Sequence, residues 1–190
     1  MSENRIDYRR IIESEPIIRE AVTIAQANAQ GKNYWLICGA LYKLINKSLY
    51  GTKVNGILKE NSDVDFLFES LKPELATRNF DLSKSSFGEP RLKRGKLQID
   101  LVSLGNSTYI RKHGLKPTIE SYLEGCFTNV QSIAFNLVTN ELVGQGIAAL
   151  RSRRIEVTNI VELECYCKMK GITPKFYLDK LSHSLDMNIE

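Results

Sequence analysis

Apolar positions along the chain follow two rhythms, and the points where one gives way to the other outline the elements. After Ser14 and Glu15, Pro16 opens a stretch in which Ile17, Ile18, Ala21, Val22, Ile24 and Ala25 recur at helical spacing, with Gly31 as a stop. This predicts an amphipathic helix packed on the body of the protein. Tyr34-Trp35-Leu36-Ile37-Cys38 is an unbroken apolar run that reads as a short buried strand, ended by Gly39. Residues 40–50 return to helical periodicity and close on Gly51, a C-terminal cap. A polar loop then leads through Asn61 and Ser62 to a second strand, residues 64–68.

Pro73 predicts the start of a further helix, followed by a loop containing glycine and serine. Residues 91–93 and 96–104 read as a hairpin turning at Arg94-Gly95, with the second arm longer. Residues 117–123 read as helix and 132–137 with 141–144 as a hairpin about Thr139-Asn140. A helical turn over 146–150 and a short strand over 155–157 follow, and helices over 161–169 and 174–181 finish the chain. The order helix, strand, helix, then mostly strands predicts an α/β (α+β) protein, a mixed sheet with helices on one side.

Composition places the chain among ordinary globular proteins. It has 190 residues, 43% of them hydrophobic and 25% charged. A domain of this size buries roughly 70% of its unfolded surface, enough for a core without staples. The net charge of +4 fits a nucleotide or nucleic-acid partner without demanding one. Lys and Arg gather at Arg91-Leu92-Lys93-Arg94, at Arg111-Lys112-His113 and at Arg151-Ser152-Arg153-Arg154; singly each reads as a solvated face or turn. The four cysteines, Cys38, Cys126, Cys165 and Cys167, form no C-x-x-C pair and stand in no zinc-finger spacing with His113 and His183. A reduced, cytoplasmic protein is expected. The polar start is expected to be neither signal peptide nor anchor, and no apolar run approaches membrane-span length.

The chemistry centres on Ser62-Asp63-Val64-Asp65-Phe66-Leu67-Phe68. Side chains alternate along a strand, so Asp63 and Asp65 share one face while Val64, Phe66 and Phe68 face the core. Two carboxylates on one face repel unless a cation sits between them, and an oxygen-rich pair suits Mg²⁺. In Lys96-Leu97-Gln98-Ile99-Asp100-Leu101-Val102, Asp100 lies on the face opposite Leu97, Ile99 and Leu101. If the two strands are neighbours, Asp100 completes a three-carboxylate cluster able to hold two metals about 3.5–4 Å apart. Upstream, an apolar strand, Gly39, Ala40 and a helix N-terminus form a phosphate-binding arrangement, because free backbone N–H groups and the helix dipole favour an anion. Lys43, one turn into the helix, adds a positive charge. Each signal alone is commonplace, an Asp-x-Asp pair often merely decorating a strand end; their ordered combination is specific.

Cys38-Gly39-Ala40, then Asp63-Val64-Asp65, then Asp100 resembles the signature of the DNA polymerase β nucleotidyltransferase superfamily, and within it the head domain of bacterial CCA-adding enzymes and poly(A) polymerases. Val130-Gln131-Ser132-Ile133-Ala134-Phe135-Asn136 and the stretch through Arg154-Ile155-Glu156-Val157 resemble later parts of that domain. The resemblance implies a mixed sheet with flanking helices, spanning 33–158 as a nucleotidyltransferase domain between an N-terminal helical segment (1–32) and a short helical extension (159–190). It implies transfer of NMP from an NTP, ATP or CTP, with release of pyrophosphate. Asp63, Asp65 and Asp100 would be the catalytic, metal-binding residues of a two-metal Mg²⁺ site that could also take Mn²⁺. Gly39, Ala40, Lys43 and Ser62 would hold the phosphates. An RNA 3′ end is the expected acceptor. Four departures stand out: Ala40 where the family usually has Gly or Ser, Lys43-Leu44 where it carries Arg-Asp, Gly125-Cys126-Phe127 where it carries Arg-Arg-Asp, and no Glu-Asp-x-x-Arg template for choosing CTP and ATP. The alternatives are a protein or small-molecule hydroxyl as acceptor, a non-catalytic nucleotide- or nucleic-acid-binding module, and a chain completed by a partner subunit or a second copy.

Overall fold

The computed structural model describes residues 6–51 and 63–190. The first described elements are α1 (Tyr8–Glu13) and α2 (Pro16–Asn28). Asp7 caps α1 by accepting from the Arg10 N–H. Pro16 sits in the first turn of α2, where its missing N–H breaks no helical hydrogen bond. α2 buries Ile18, Ala21, Ile24 and Ala25, the face its periodicity predicts. The wholly buried β1 (Tyr34–Ile37) runs straight into α3 (Cys38–Tyr50), which ends on Gly51 at φ 61°, the left-handed conformation glycine adopts freely.

There follow β2 (Asp63–Phe68), β3 (Asp81–Lys84), β4 (Pro90–Arg94), β5 (Leu97–Ser103), α4 (Thr108–His113), α5 (Ile119–Glu124), β6 (Ala134–Asn136) and β7 (Leu142–Val143). The chain closes with α6 (Gly146–Ser152), β8 (Arg154–Ile155), α7 (Ile160–Lys170), α8 (Pro174–Leu185) and β9 (Asn188–Ile189). Among the described residues seven strands make one mixed sheet in the order β3-β4-β5-β2-β1-β6-β7. β2 and β5 run parallel and the other neighbours antiparallel. The chain leaves β2, builds β3 and β4 at the sheet's edge, and returns along β5.

Alternation along the central strands divides the interior into two cores. Leu36, Val64, Phe66, Phe68, Ile99, Leu101 and Phe135 pack on one face against residues of α2, α3, α6 and α8. Trp35, Ile37 and Leu67 pack on the other against Leu104, Ile110 of α4 and Leu123 of α5. Helices therefore cover both faces, not the single face expected from the element order. The cause is the unbroken apolar run of β1, which needs cover on both sides.

Two local expectations are corrected. No helix starts at Pro73. That segment lies along the end of α2 instead, where the buried Asn28 side chain accepts from the Ala76 N–H at 2.7 Å and donates to the Ala76 carbonyl at 3.1 Å. Part of the glycine- and serine-containing loop forms β3, whose four residues are all exposed and so carry no hydrophobic rhythm. At the other end, α8 adds Leu181 and Leu185 to the larger core, and the Asn46 side chain donates to the Leu185 carbonyl at 2.9 Å. β9 then pairs in parallel with β8, and Arg154 meets Glu190 at 2.8 Å.

Candidate active site

β2 is anchored by its apolar half. Val64, Phe66 and Phe68 are fully buried in the larger core. Each contributes roughly 1.5–3 kcal/mol, and a one-residue slip would drive carboxylates into that core instead. The register is thereby set, with Asp63 and Asp65 on the opposite face, Asp63 exposed and Asp65 half-buried. Parallel pairing with β5 brings Asp65 opposite Asp100 and Asp63 opposite Gln98. Farther along the same face, Leu67 belongs to the smaller core. The three carboxylates thus stand together beyond the end of the second helical layer.

Asp100 has a partner the sequence reading gave no role. The antiparallel β4–β5 pairing sets Arg91 opposite Asp100. Its guanidinium grips the carboxylate with both arms, Nε to Oδ1 at 2.6 Å and Nη2 to Oδ2 at 2.7 Å. Asp100 is 9% exposed, so this pair is screened far less than a surface one. Among the described residues no hydrogen bond holds Asp63 or Asp65. Burial, then the charges of Asp100 and Asp63, raise the Asp65 carboxyl to about 7, with Arg91 opposing. Asp63 is also raised, first by burial and then by Asp100, against the pull of Arg91, Lys170 and Lys43. No three His, Cys, Asp or Glu side chains among the described residues are grouped as a ready metal cage. In the same hairpin Gly95, at φ 59°, makes the turn, and the register counted back from Arg94 and Leu97 pairs Arg91 with Asp100. That count was the available signal.

The junction of β1 and α3 lies beside Asp65, since Ile37 pairs with it across the sheet. The left-handed residue here is Cys38, at φ 57°, not Gly39. A non-glycine residue in that conformation stores strain, and such strain gathers at functional sites. The space beside Gly39 is open: a Cβ there would touch only the Tyr42 ring, at 3.7 Å or more. Ala40 sends its methyl into the larger core, so it can serve a ligand only through its backbone N–H. No side chain caps the start of α3. Lys43 is half-buried; burial and then Lys180 lower its pKa, while Asp63 pulls it up. Ser62 lies outside the described residues.

Aromatic side chains from distant parts of the chain gather near the carboxylates. Tyr166 of α7 meets Phe127 at 5.0 Å between ring centroids and Tyr177 of α8 at 5.6 Å. The half-exposed Phe87 stacks on Tyr166 at 6.4 Å. Burial raises the Tyr166 phenol, with Cys167, Asp65, Cys38 and Asp63 adding to the rise. The basic clusters, in contrast, are largely tied into the fold. Arg94 pairs with Glu20 at 2.6 Å, Lys112 with Glu162 at 2.5 Å, and Arg153 with Asp186 at 2.6 Å.

No family model and no curated protein sequence matches the chain. Solved structures do. A CCA-adding enzyme in an apo form shares its fold with a TM-score of 0.60 at 15% identity, over 97% of this chain and 43% of that one. A CCA-adding enzyme in complex with ATP gives 0.59 at 17% identity, over 97% and 42%. A tRNA-processing enzyme in an apo form gives 0.54 at 16% identity, over 94% and 44%. The chain therefore has the nucleotidyltransferase fold its motifs resemble, and it spans less than half the length of these structures. Among the described residues no helix is long and apolar enough to cross a membrane.

Proposed function

We propose that the chain is a Mg²⁺-dependent nucleotidyltransferase that moves NMP from an NTP, ATP or CTP, onto an acceptor hydroxyl, with the 3′ end of an RNA, a tRNA first, as the acceptor. The observation that carries the reading is the gathering of Asp63, Asp65 and Asp100 beside the uncapped start of α3 at one end of the sheet. The fold shared with structures described as CCA-adding enzymes, one of them bound to ATP, supports it.

Asp63 and Asp65 fit a hard divalent cation. Both are oxygen donors on one strand face, neither is held by a hydrogen bond among the described residues, and the charge penalty on Asp65 is only partly offset by Arg91. They would hold Mg²⁺ or Mn²⁺, which when bound supplies Lewis-acid charge for phosphoryl oxygens. The N–H groups of Gly39 and Ala40 at the start of α3 receive the β- and γ-phosphates, and Lys43 adds its charge from the next turn. The open space beside Gly39 admits the phosphates to the backbone. The acceptor hydroxyl gives up its proton to solvent as its oxygen attacks the α-phosphorus; the bond from that phosphorus to the bridging oxygen breaks, and pyrophosphate leaves with that oxygen.

The test is incubation with each labelled NTP, Mg²⁺ and total cellular RNA, beside the double variant Asp63→Ala/Asp65→Ala. Label should enter RNA with the unaltered protein and fall to background with the variant. Label on protein would replace RNA as the acceptor. Binding of NTP or RNA with no transfer in any arm would replace the enzyme by a binding module.

A further inference from the structure

We infer that Arg91 is a built-in cation that takes the place of a second metal: it closes Asp100 to ligation, so the site holds one divalent ion, on Asp63 and Asp65 alone. The inference rests on the reading of that pair as a cation site and changes what the third carboxylate does.

Three observations carry it. The first is geometric. Both oxygens of Asp100 accept hydrogen bonds from one guanidinium, at 2.6 and 2.7 Å, in a bidentate pair that Arg forms in preference to any other side chain. The second is where that guanidinium is rooted. Arg91 lies on a strand paired on both sides, to β3 through Ser83 and to β5 through Asp100 itself. Its backbone therefore cannot swing away without breaking the sheet. The third is electrostatic reach. Arg91 acts on Asp63 and Asp65 as well as on Asp100, so its charge stands within the group of three. A three-carboxylate, two-metal cluster needs an Asp100 oxygen free to ligate a metal. Here both oxygens face the guanidinium, and the described residues contain no three-ligand cage.

A fixed guanidinium has a different chemistry from a metal. It offers directional N–H donors and a permanent charge, but it exchanges no ligands and activates no bound water or hydroxyl. Asp100 is then a positioning residue: it orients Arg91, which balances the charge of the carboxylate face whether or not a cation is bound.

Counting bound Mn²⁺ by electron paramagnetic resonance, without nucleotide, tests this directly. The unaltered protein should bind one Mn²⁺ per chain, and Asp100→Asn should bind the same number with affinity within about threefold. Asp63→Asn should lose it. Arg91→Met, which keeps the length of the side chain and frees Asp100, should bind a second Mn²⁺ and show the spin coupling of a close metal pair. Two Mn²⁺ in the unaltered protein, loss of Mn²⁺ in Asp100→Asn, or no Mn²⁺ at all would overturn the inference. Should Arg91→Met fail to fold, the Asp100→Asn comparison still decides. Transfer activity is read separately: one Mn²⁺ without nucleotidyl transfer sinks the proposed function and spares this inference, while transfer with an Mn²⁺ lost in Asp100→Asn does the reverse.

Discussion

Asp63, Asp65 and Asp100 sit on neighbouring strands of one sheet, yet each meets a different environment. Asp100 is neutralised by Arg91, Asp63 is exposed, and Asp65 is half-buried with no hydrogen bond among the described residues. Asp65 consequently prefers its proton up to about pH 7, while an unfolded aspartate releases it near 3.8. A carboxyl held more tightly in the folded state contributes full stability below the unfolded value and loses it as pH rises through the folded one. In the presence of EDTA the melting temperature should therefore fall between pH 5 and pH 8. Asp65→Asn should flatten that fall, and millimolar Mg²⁺ should restore stability at pH 8. A melting temperature that rises with pH in EDTA would contradict the environment assigned to Asp65.

The elements follow their local patterns except where one side chain outweighs them. Pro73 is a sound helix-start signal, but the segment that follows is bound to Asn28, which satisfies both the N–H and the carbonyl of Ala76 while donating to the Ile24 carbonyl at 2.9 Å. Asn28 is fully buried, so nothing replaces these bonds when it is removed. Asn28→Ala should cost about 1–3 kcal/mol for each polar group left unsatisfied. The change would be read as a lower urea midpoint with the slope unchanged. β3 was missed for another reason: an exposed edge strand buries neither face, and period-two alternation exists only where one face is buried.

Across the whole molecule the two cores share one sheet, β1 contributing Leu36 to one and Trp35 to the other. They should therefore unfold together. Trp35, the single tryptophan and 5% exposed, reports on the smaller core, while far-ultraviolet circular dichroism reports on all the helices. The two signals should give the same urea midpoint; separate transitions would show that the cores are independent units. The scale of the whole also limits the basic clusters. With Arg94, Lys112 and Arg153 each paired with an acidic side chain at the surface, these clusters present less unpaired positive charge than the sequence suggests.

The division between what was readable from the chain and what was not follows the range of the forces. Period-two alternation, helix periodicity, the proline and glycine stops and the Gly95 turn act between residues a few places apart. They suffice to place Asp63 and Asp65 on one strand face, Gly39 and Ala40 at a helix start, and, counted through the hairpin, Arg91 opposite Asp100. Whether β5 would lie beside β2 depends on a connection that builds two further strands, β3 and β4, on the way, and no local pattern encodes that choice. The meeting of Tyr166 and Tyr177 with Phe127, and the cover of α4 and α5 over Trp35, arise only when residues far apart in the chain compete for the same buried space. Packing decides that competition, and packing exists only in the folded molecule.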